Sequence, residues 1–269
     1  MQPTAVVTGG SRGIGQAVAT RLAEHGYRVV IVARDPVRGE AARAALPGEA
    51  VLVPADLAET ASVRAAAGAL LDACPRIDAL IHNAGVWPAR RELTSGGVER
   101  AFAVNHLAPF LLNHLLEERL RDSGTRVVQV SAGLYVKGRA DPERTAEGLD
   151  FHAIRTYADT KLCNLMMVPL FARRWQDAGV MIDAVHPGVI RTGLGDRGGL
   201  LGLLLKAAKR MWDTPENGAA PVVRLAQDGS GGTGRYFEIG EETPLAPNAS
   251  DADLAQALWA QAAALTGVV

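Results

Sequence analysis

The chain has 269 residues, of which 48% are hydrophobic and 21% charged, a composition that suits one α/β domain with a large core. Its net charge is −1, with 28 basic and 29 acidic side chains, so no charge excess favours a nucleic-acid partner or a solvating acidic tail. The two cysteines, Cys74 and Cys163, lack metal-ligand spacing and fall in predicted helices. We therefore expect no metal site and a reduced, cytoplasmic protein.

The ends and the hydropathy of the chain predict neither export nor membrane insertion. Only Met1, Gln2 and Pro3 precede the first predicted strand, which leaves no room for a signal peptide. The most apolar run, 198–205, is far shorter than the ~20 residues that a membrane span needs. We expect no integral membrane segment.

Strand and helix patterns alternate along the chain. Strands are predicted at 4–8, 29–33, 50–54, 77–82, 125–131 and 180–185. Helices are predicted at 16–25, 59–74, 96–121 and 153–177. This alternation predicts an α/β fold, a single-domain, doubly wound parallel sheet of Rossmann type with helices on both faces.

A glycine-rich turn joins the first strand to the first helix. Its glycines are Gly9, Gly13 and Gly15, a wider spacing than the usual dinucleotide fingerprint. Glycine permits a tight turn and close backbone approach, and a helix N-terminus presents free N–H groups to a pyrophosphate. Such a turn alone is weak evidence, but its position inside a βαβ unit favours a dinucleotide site.

The end of the second strand bears on which dinucleotide is bound. Arg34 directly follows this strand, and Arg12 lies in the glycine turn. Arginine accommodates the 2′-phosphate of NADP, whereas a carboxylate such as Asp35 would hold the ribose hydroxyl of NAD. Both arginines could instead be solvated surface residues. We predict NADP(H) over NAD(H).

Polar and small residues follow the carboxyl ends of the predicted strands. They are Asp56, Asn83, Gly85, Ser131, His186 and Gly188. Ligands of open α/β sheets bind outside these strand ends. We therefore expect these residues to share one site.

Tyr157 and Lys161 are four residues apart in a predicted helix and so lie on one face. A cation beside a phenol favours the phenolate, so we expect the pKa of Tyr157 to fall from about 10 toward neutral pH. Such a phenol can transfer a proton to or from a substrate oxygen. A lone Tyr-x-x-x-Lys pattern is more often an ordinary surface pair, and it is the upstream motifs that favour chemistry.

Together these residues resemble the short-chain dehydrogenase/reductase family over nearly the whole chain, in the order and spacing of their motifs. The motifs are Thr8-Gly9-x-x-x-Gly13-x-Gly15, Asp56-Leu57, Asn83-Ala84-Gly85, Asn105, Ser131, Tyr157-x-x-x-Lys161 and His186-Pro187-Gly188. The retinol-dehydrogenase-like branch is suggested by 104–110, 161–164, 186–192 and 234–237. His82 replaces a more usual Asn and Thr160 a more usual Ser, and both substitutions keep a polar group.

The resemblance implies roles for four catalytic residues. Tyr157 is the general acid in carbonyl reduction and the base in the reverse direction. Lys161 lowers the pKa of the tyrosine and binds the nicotinamide ribose. Ser131 donates a hydrogen bond to the substrate oxygen, and Asn105 holds a water that links Lys161 to solvent. Read singly, Ser131 could be a plain strand-end hydroxyl and Asn105 a helix-packing residue.

The resemblance also implies the residues that contact the cofactor. They are Thr8, Gly9, Ser11, Arg12, Gly13, Ile14, Gly15, Arg34, Asp56, Leu57, Asn83, Ala84, Gly85, Asn105, Tyr157, Lys161, Pro187, Gly188, Val189 and Thr192. His186 is expected to pack before the Pro187-Gly188 turn, and His106 and His114 to sit in or beside the core without a site role.

The expected activity is NADP(H)-dependent interconversion of a carbonyl and an alcohol on a bulky, apolar small molecule. Reduction of a conjugated C=C bond and a catalytically silent NADP-binding sensor are the alternatives. The oligomeric state is left open between monomer and homodimer, and a longer segment at 137–152 could alter a helix-pair dimer contact.

The segment at about 193–212 is predicted to be a mobile substrate lid. It opens with several glycines and continues into a leucine-rich run followed by basic residues. A helix packed on the core, or a surface helix touching a membrane, would fit the same pattern.

Overall fold

In the computed structural model, residues 2–190 and 213–268 are described. Thr192 and the predicted lid at 193–212 lie outside them. Within the described ranges the strands form one sheet in the order β3-β2-β1-β4-β5-β6-β7-β8. The strands are β1 Thr4–Thr8, β2 Arg28–Ala33, β3 Ala50–Pro54, β4 Ala79–His82, β5 Arg126–Val130, β6 Met181–His186, β7 Tyr236–Glu238 and β8 Glu241–Glu242.

The sheet is parallel from β3 through β7, and β8 pairs antiparallel with β7 at the edge. The helices are α1 Gly13–Glu24, α2 Pro36–Ala44, α3 Thr60–Ala73, α4 Arg100–Phe102, α5 Ala108–Leu115, α6 Glu117–Ser123, α7 Ala153–Arg174, α8 Pro215–Ala226 and α9 Ala252–Thr266. The predicted doubly wound Rossmann-type α/β fold is confirmed.

Alternate side chains of each strand feed two hydrophobic cores, one on each face of the sheet. Val6 and Val30 belong to the core that α3, α5, α7 and α9 cover. Their neighbours Val7 and Ile31 belong to the core that α1 and α8 cover. Successive side chains of a strand point to opposite faces, so a strand that is apolar at every position must be covered on both. All five residues of β1 are buried.

The helix predicted at 96–121 is wrong as a continuous element. It begins at Arg100, passes through a π-helical turn at Ala103–Leu107, and breaks again at Leu116 between α5 and α6. Pro109 is the cause of the first irregularity, because it has no N–H to donate to the carbonyl of Asn105 four residues earlier. That carbonyl instead accepts from Nδ2 of Asn164 on α7, at 3.2 Å.

The sequence patterns did not predict α2, or β7 and β8 as strands. The helix α2 is short and polar, begins at Pro36 and is capped by Asp35. The β7–β8 hairpin contains only five strand residues. Short elements of this kind carry little periodicity. No helix among the described residues is both long enough and apolar enough to cross a membrane.

Candidate active site

A cleft of about 390 Å³ opens at the carboxyl ends of the central strands. It lies where the strand order reverses, since β1 is followed by β2 and β3 on one side and by β4 and β5 on the other. Ligands of doubly wound sheets bind at this switch point. The cleft is therefore where the fold itself predicts a site.

The glycine turn forms one wall of the cleft. Gly9 and Gly13 have φ angles of +67° and +55°, which side chains disfavour. A Cβ on Gly15 would overlap the amide nitrogen of Asn83 and the carbonyl oxygen of Gly9. The first helix begins here, and the side chain of Arg12 at its N-cap makes no capping hydrogen bond. The first-turn N–H groups of α1 can therefore bind an anion.

Thr8 and Asn83 brace the turn from behind. The hydroxyl of Thr8 accepts from the backbone N–H groups of Asn83 and Ala84, each at 3.1 Å, and donates to the carbonyl of Ile81 at 3.2 Å. The amide of Asn83 donates to the carbonyl of Thr8 at 3.0 Å. These bonds tie the ends of β1 and β4 together and hold the glycine turn in one conformation.

Three arginines and one carboxylate surround the far end of the cleft. Arg12, Arg34, Arg38 and Asp35 all line it. The carboxylate of Asp35 accepts from the backbone N–H of Arg38 at 3.0 Å, capping α2, and its other oxygen lies 3.4 Å from the Arg38 guanidinium. These contacts lower the pKa of Asp35, chiefly through the backbone hydrogen bond. Arg12 and Arg34 form no salt bridge with another described residue.

Tyr157 and Lys161 lie one turn apart on α7 at the opposite end of the cleft. Both are 4% exposed. The ammonium of Lys161 donates to the carbonyl of Val130 at 3.0 Å and lies 5.8 Å from the centroid of the Tyr157 ring. Burial lowers the pKa of Lys161 to about 8.

The expected fall in the pKa of Tyr157 is wrong for the protein chain by itself. Burial raises this pKa above its ordinary value, because the phenolate would lose its hydration. The loss of hydration outweighs the nearby cation, which itself is engaged by the Val130 carbonyl. At neutral pH Tyr157 is therefore a protonated phenol.

Ser131 follows β5 and lines the cleft beside Tyr157 and Lys161. It is 5% exposed, and its Oγ is buried with no hydrogen-bond partner among the described residues. A buried hydroxyl without a partner costs free energy. Its free hydrogen is available to a ligand oxygen.

Asn105 sits in the π-helical turn and is 1% exposed. Its Oδ1 accepts from the N–H of Val86 at 2.8 Å, and its Nδ2 donates to the carbonyl of Val86 at 3.0 Å and to Oγ1 of Thr160 at 2.9 Å. Both amide hydrogens are thus committed to protein acceptors. Its side chain braces the loop after β4, and the water relay expected at this residue stays a prediction.

Most of the predicted site residues line the cleft. They are Gly9, Ser11, Arg12, Gly13, Ile14, Gly15, Arg34, Asp56, Leu57, Asn83, Ala84, Gly85, Ser131, Tyr157, Lys161, Pro187 and Gly188. Thr8 and Asn105 act from behind it, as described, and Val189 is 56% exposed and outside the lining. His186, which we expected to pack before the turn, also lines the cleft, and burial lowers its pKa.

Among the polar and aromatic residues at the site, Arg38 and Trp87 were not predicted from the sequence. Arg38 lines the cleft because it lies one turn into α2, and the Asp-Pro start of that helix is the signal that could have found it. Trp87 stacks on the ring of Tyr157, with centroids 4.8 Å apart. No sequence pattern connects Trp87 to Tyr157, because their contact depends on the path of the loop after β4.

The family model described as short chain dehydrogenase matches residues 3–198 of the chain. Retinol dehydrogenase 14 of Mus musculus is 34% identical over 99% of this chain and 86% of its own length. A protein of Streptomyces sp. (strain C5), named as a candidate daunorubicin C-13 ketoreductase, is 37% identical over 98% of this chain and 92% of its own length.

Solved structures show the same fold. An uncharacterised protein from Mycobacterium paratuberculosis has a TM-score of 0.79 and 29% identity, covering 99% of this chain and 94% of its own. A short chain dehydrogenase from Burkholderia cenocepacia J2315, in complex with NADP, has a TM-score of 0.72 and 27% identity over 89% of this chain and 97% of its own. The chain belongs to the short-chain dehydrogenase family of oxidoreductases, and within it is similar to the retinol dehydrogenases.

Proposed function

We propose that this protein is an NADP(H)-dependent oxidoreductase that interconverts a carbonyl and an alcohol on a bulky, apolar small molecule. One observation carries the proposal: the unpartnered hydroxyl of Ser131, the protonated phenol of Tyr157 and the ammonium of Lys161 line one cleft with the glycine turn. A hydrogen-bond donor, a proton source and a cation beside a dinucleotide site are what carbonyl reduction requires.

The residues present fit a nicotinamide dinucleotide. The lack of room for a Cβ at Gly15 and the uncapped start of α1 suit a pyrophosphate lying against backbone. Asp56 and Leu57 would hold the adenine end, and Lys161, Pro187 and Gly188 the nicotinamide end. When bound, the nicotinamide supplies or accepts the hydride.

Each catalytic side chain has a separate task in reduction. Ser131 donates its free hydrogen to the substrate oxygen and stabilises the charge that develops there. Tyr157 gives its proton to the same oxygen, since its phenol is protonated at neutral pH. Lys161 places a positive charge near the ring, which favours the phenolate as the proton leaves.

The preference for NADP(H) rests on the pairing of Asp35. Its carboxylate is occupied as the α2 cap and by the Arg38 guanidinium, so it is a poor acceptor for a ribose hydroxyl. Arg34 and Arg12 remain to bind a 2′-phosphate, which arginine binds through charge-assisted hydrogen bonds. The related Burkholderia structure is a complex with NADP, which supports this preference.

The substrate class rests on the named relatives. They include retinol dehydrogenases and the candidate daunorubicin C-13 ketoreductase, whose names specify retinol and the C-13 keto group of daunorubicin.

The direct experiment is to measure NADPH consumption against a panel of ketones, aldehydes and conjugated enones, with Tyr157→Phe as the blank. Turnover of bulky carbonyls over small polar ones supports the proposal. Turnover of enones at the C=C bond alone would favour the alternative reduction. NADPH binding without turnover of any member would favour a silent sensor and contradict the proposal.

A further inference from the structure

Trp87 lies against the phenol ring of Tyr157. The ring centroids are 4.8 Å apart and the planes are inclined by 14°, which makes a stacked pair. Tyr157 is 4% exposed, and the indole shields one face of its ring. The contact joins the loop after β4 directly to the acid–base residue.

The indole is itself fixed in place by α7. Its Nε1 donates to the carbonyl of Ala153 at 2.7 Å. Ala153 is the first residue of α7 and lies one turn before Tyr157. The orientation of Trp87 is therefore tied to the same helix turn that carries the phenol.

The residue before Trp87 is fixed as well. Asn105 bonds both the N–H and the carbonyl of Val86, and also Oγ1 of Thr160 on α7. Trp87 thus extends from a loop position whose backbone groups are held by a buried side chain. A residue so constrained can hold its neighbour in one orientation without large loss of entropy on binding.

We propose that Trp87 is a positioning residue for the acid–base tyrosine, setting the plane of the Tyr157 ring and keeping water from one face of it. The inference rests on the proposed function, since it assigns Tyr157 the role of proton donor. It accounts for the low exposure of the phenol, which is 4% exposed although it lines the cleft.

The charged groups around the phenol strengthen this inference. Lys161 on α7 and His186 at the end of β6 line the same cleft, and a positive charge on either side chain would lower the pKa of Tyr157. Burial lowers the pKa of both side chains, so both lose their charge more easily than they would in water. Burial nevertheless raises the pKa of Tyr157. Removal of the indole should admit water to the phenolate and move the pKa down.

Three variants of Trp87 and one control variant separate positioning from simple packing. Trp87→Leu removes the ring, with Trp87→Met as a second non-aromatic replacement should the first fail to fold. Trp87→Phe keeps a ring that can stack but has no N–H for Ala153. Trp259→Phe is the matched control, because Trp259 packs against Phe110 and Phe171 in a cluster away from the cleft.

The first readout needs neither cofactor nor substrate. Phenolate absorbance is followed with pH, and each protein is compared with its own Tyr157→Phe counterpart. In wild type and Trp259→Phe, Tyr157 contributes no phenolate up to about pH 10, the ordinary tyrosine pKa. In Trp87→Leu it titrates about one pH unit or more lower than in wild type. Trp87→Phe stays close to wild type.

The second readout is steady-state kinetics on the best carbonyl found in the panel. Trp87→Leu should lose about ten- to a hundredfold in kcat through misplacement of the phenol, with an unchanged KM for NADPH. Trp87→Phe should lose less. The proposal would be overturned if the non-aromatic variants of Trp87 kept the wild-type phenol titration and the wild-type kcat. It would also be overturned if Trp259→Phe lost as much kcat as they do. If wild type reduces no carbonyl, the proposed function fails, while the phenolate titration still decides the role of Trp87.

Discussion

At the scale of single residues, the carboxylate of Asp35 shows how a neighbouring side chain decides whether a residue is available to bind the cofactor. The sequence places Asp35 next to Arg34 at the end of β2, where either could read the ribose. In the structure the carboxylate caps α2 and faces Arg38. The Asp-Pro start of α2 is the signal that could have predicted this cap, although the helix is too short and polar to be recognised from its periodicity.

Arg34→Ala tests the consequence. The variant should lose about ten- to a hundredfold in affinity for NADPH and little for NADH, since a charge-assisted arginine–phosphate contact is worth about 1.5–3 kcal/mol. Arg43→Ala, on α2 and paired with Glu40, is a matched control that should change neither affinity. Titration of both cofactors checks this. Equal affinities of the wild type for NADPH and NADH would show that Arg34 is only a surface residue.

The burial of Lys161 lowers the free energy of unfolding by a measurable amount. Its ammonium is buried, and its pKa falls to about 8 in the folded chain from about 10.5. Lys161→Met should abolish turnover yet raise the free energy of unfolding by about 1–2 kcal/mol at pH 7. This net gain already allows for the lost hydrogen bond to the carbonyl of Val130. The exposed Lys137 provides the control Lys137→Met.

The sign of the Lys161 effect follows from proton binding. Between pH 8 and 10.5 the unfolded chain binds more protons at Lys161 than the folded chain, so wild-type stability rises with pH in this range. The advantage of Lys161→Met should be full below pH 8 and fade toward pH 10.5. Urea unfolding at several pH values measures it, and an equal or lower stability of the variant at pH 7 would refute it.

At the scale of elements, the turn between β1 and α1 and the π-helical turn hold the site together. The first was predictable because glycines between a strand and a helix have few other uses. The π-helical turn could have been inferred from Pro109, which has no N–H to donate to the carbonyl of Asn105. The bonds from the Asn105 side chain to the backbone of Val86 could not, because they depend on the path of the loop after β4. The local sequence therefore predicts where the backbone is irregular, but not which residues contact those positions.

Gly15→Ala tests the glycine turn. The added methyl would overlap Asn83 and the carbonyl of Gly9, so the turn must shift. We expect a loss of about 1–3 kcal/mol in stability and about tenfold or more in NADPH affinity. Gly68→Ala is the matched control, because Gly68 lies on α3 with open space where the added methyl would point, and it should stabilise by about 0.5–1 kcal/mol. Thermal melts and cofactor titration compare the two, and a Gly15→Ala protein that binds NADPH normally would contradict the close approach.

At the scale of the whole molecule, the sheet order places the ends of β1, β4, β5 and β6 side by side. This is why residues as distant as Gly9, Ser131 and Gly188 could be assigned to one site from sequence. Parallel strands linked by helices leave few possible arrangements. The same sheet creates two dry faces in which polar side chains become costly to charge.

Acid should destabilise the protein through its buried histidines. Burial lowers the pKa of His82 to about 4 and of His106 to about 3. As pH falls below about 6.5, the unfolded chain binds protons that the folded chain refuses, so stability drops by up to about 1.4 kcal/mol per pH unit for each histidine. Asp159, whose pKa burial raises to about 6, works in the opposite direction over part of this range.

Comparison of two proteins isolates the histidine effect. Both ring nitrogens of His106 lack hydrogen-bond partners among the described residues, so His106→Leu breaks no hydrogen bond there. The variant should have a shallower loss of stability between pH 6.5 and pH 4 than wild type. Urea unfolding at pH 7 and pH 5 gives the change in unfolding free energy with pH for each protein. Equal changes in the two proteins would show that the low pKa of His106 does not cause the acid destabilisation.

The most direct test of the proposed mechanism is the kinetics of Tyr157→Phe with NADPH and a bulky carbonyl, together with its affinity for NADPH. The substitution removes only the phenolic hydroxyl and leaves Lys161, Ser131 and the glycine turn in place. The mechanism predicts a fall in kcat of about 10²–10⁴-fold with NADPH binding nearly intact. A variant that keeps more than about a tenth of the wild-type kcat would contradict the assignment of Tyr157 as the proton donor.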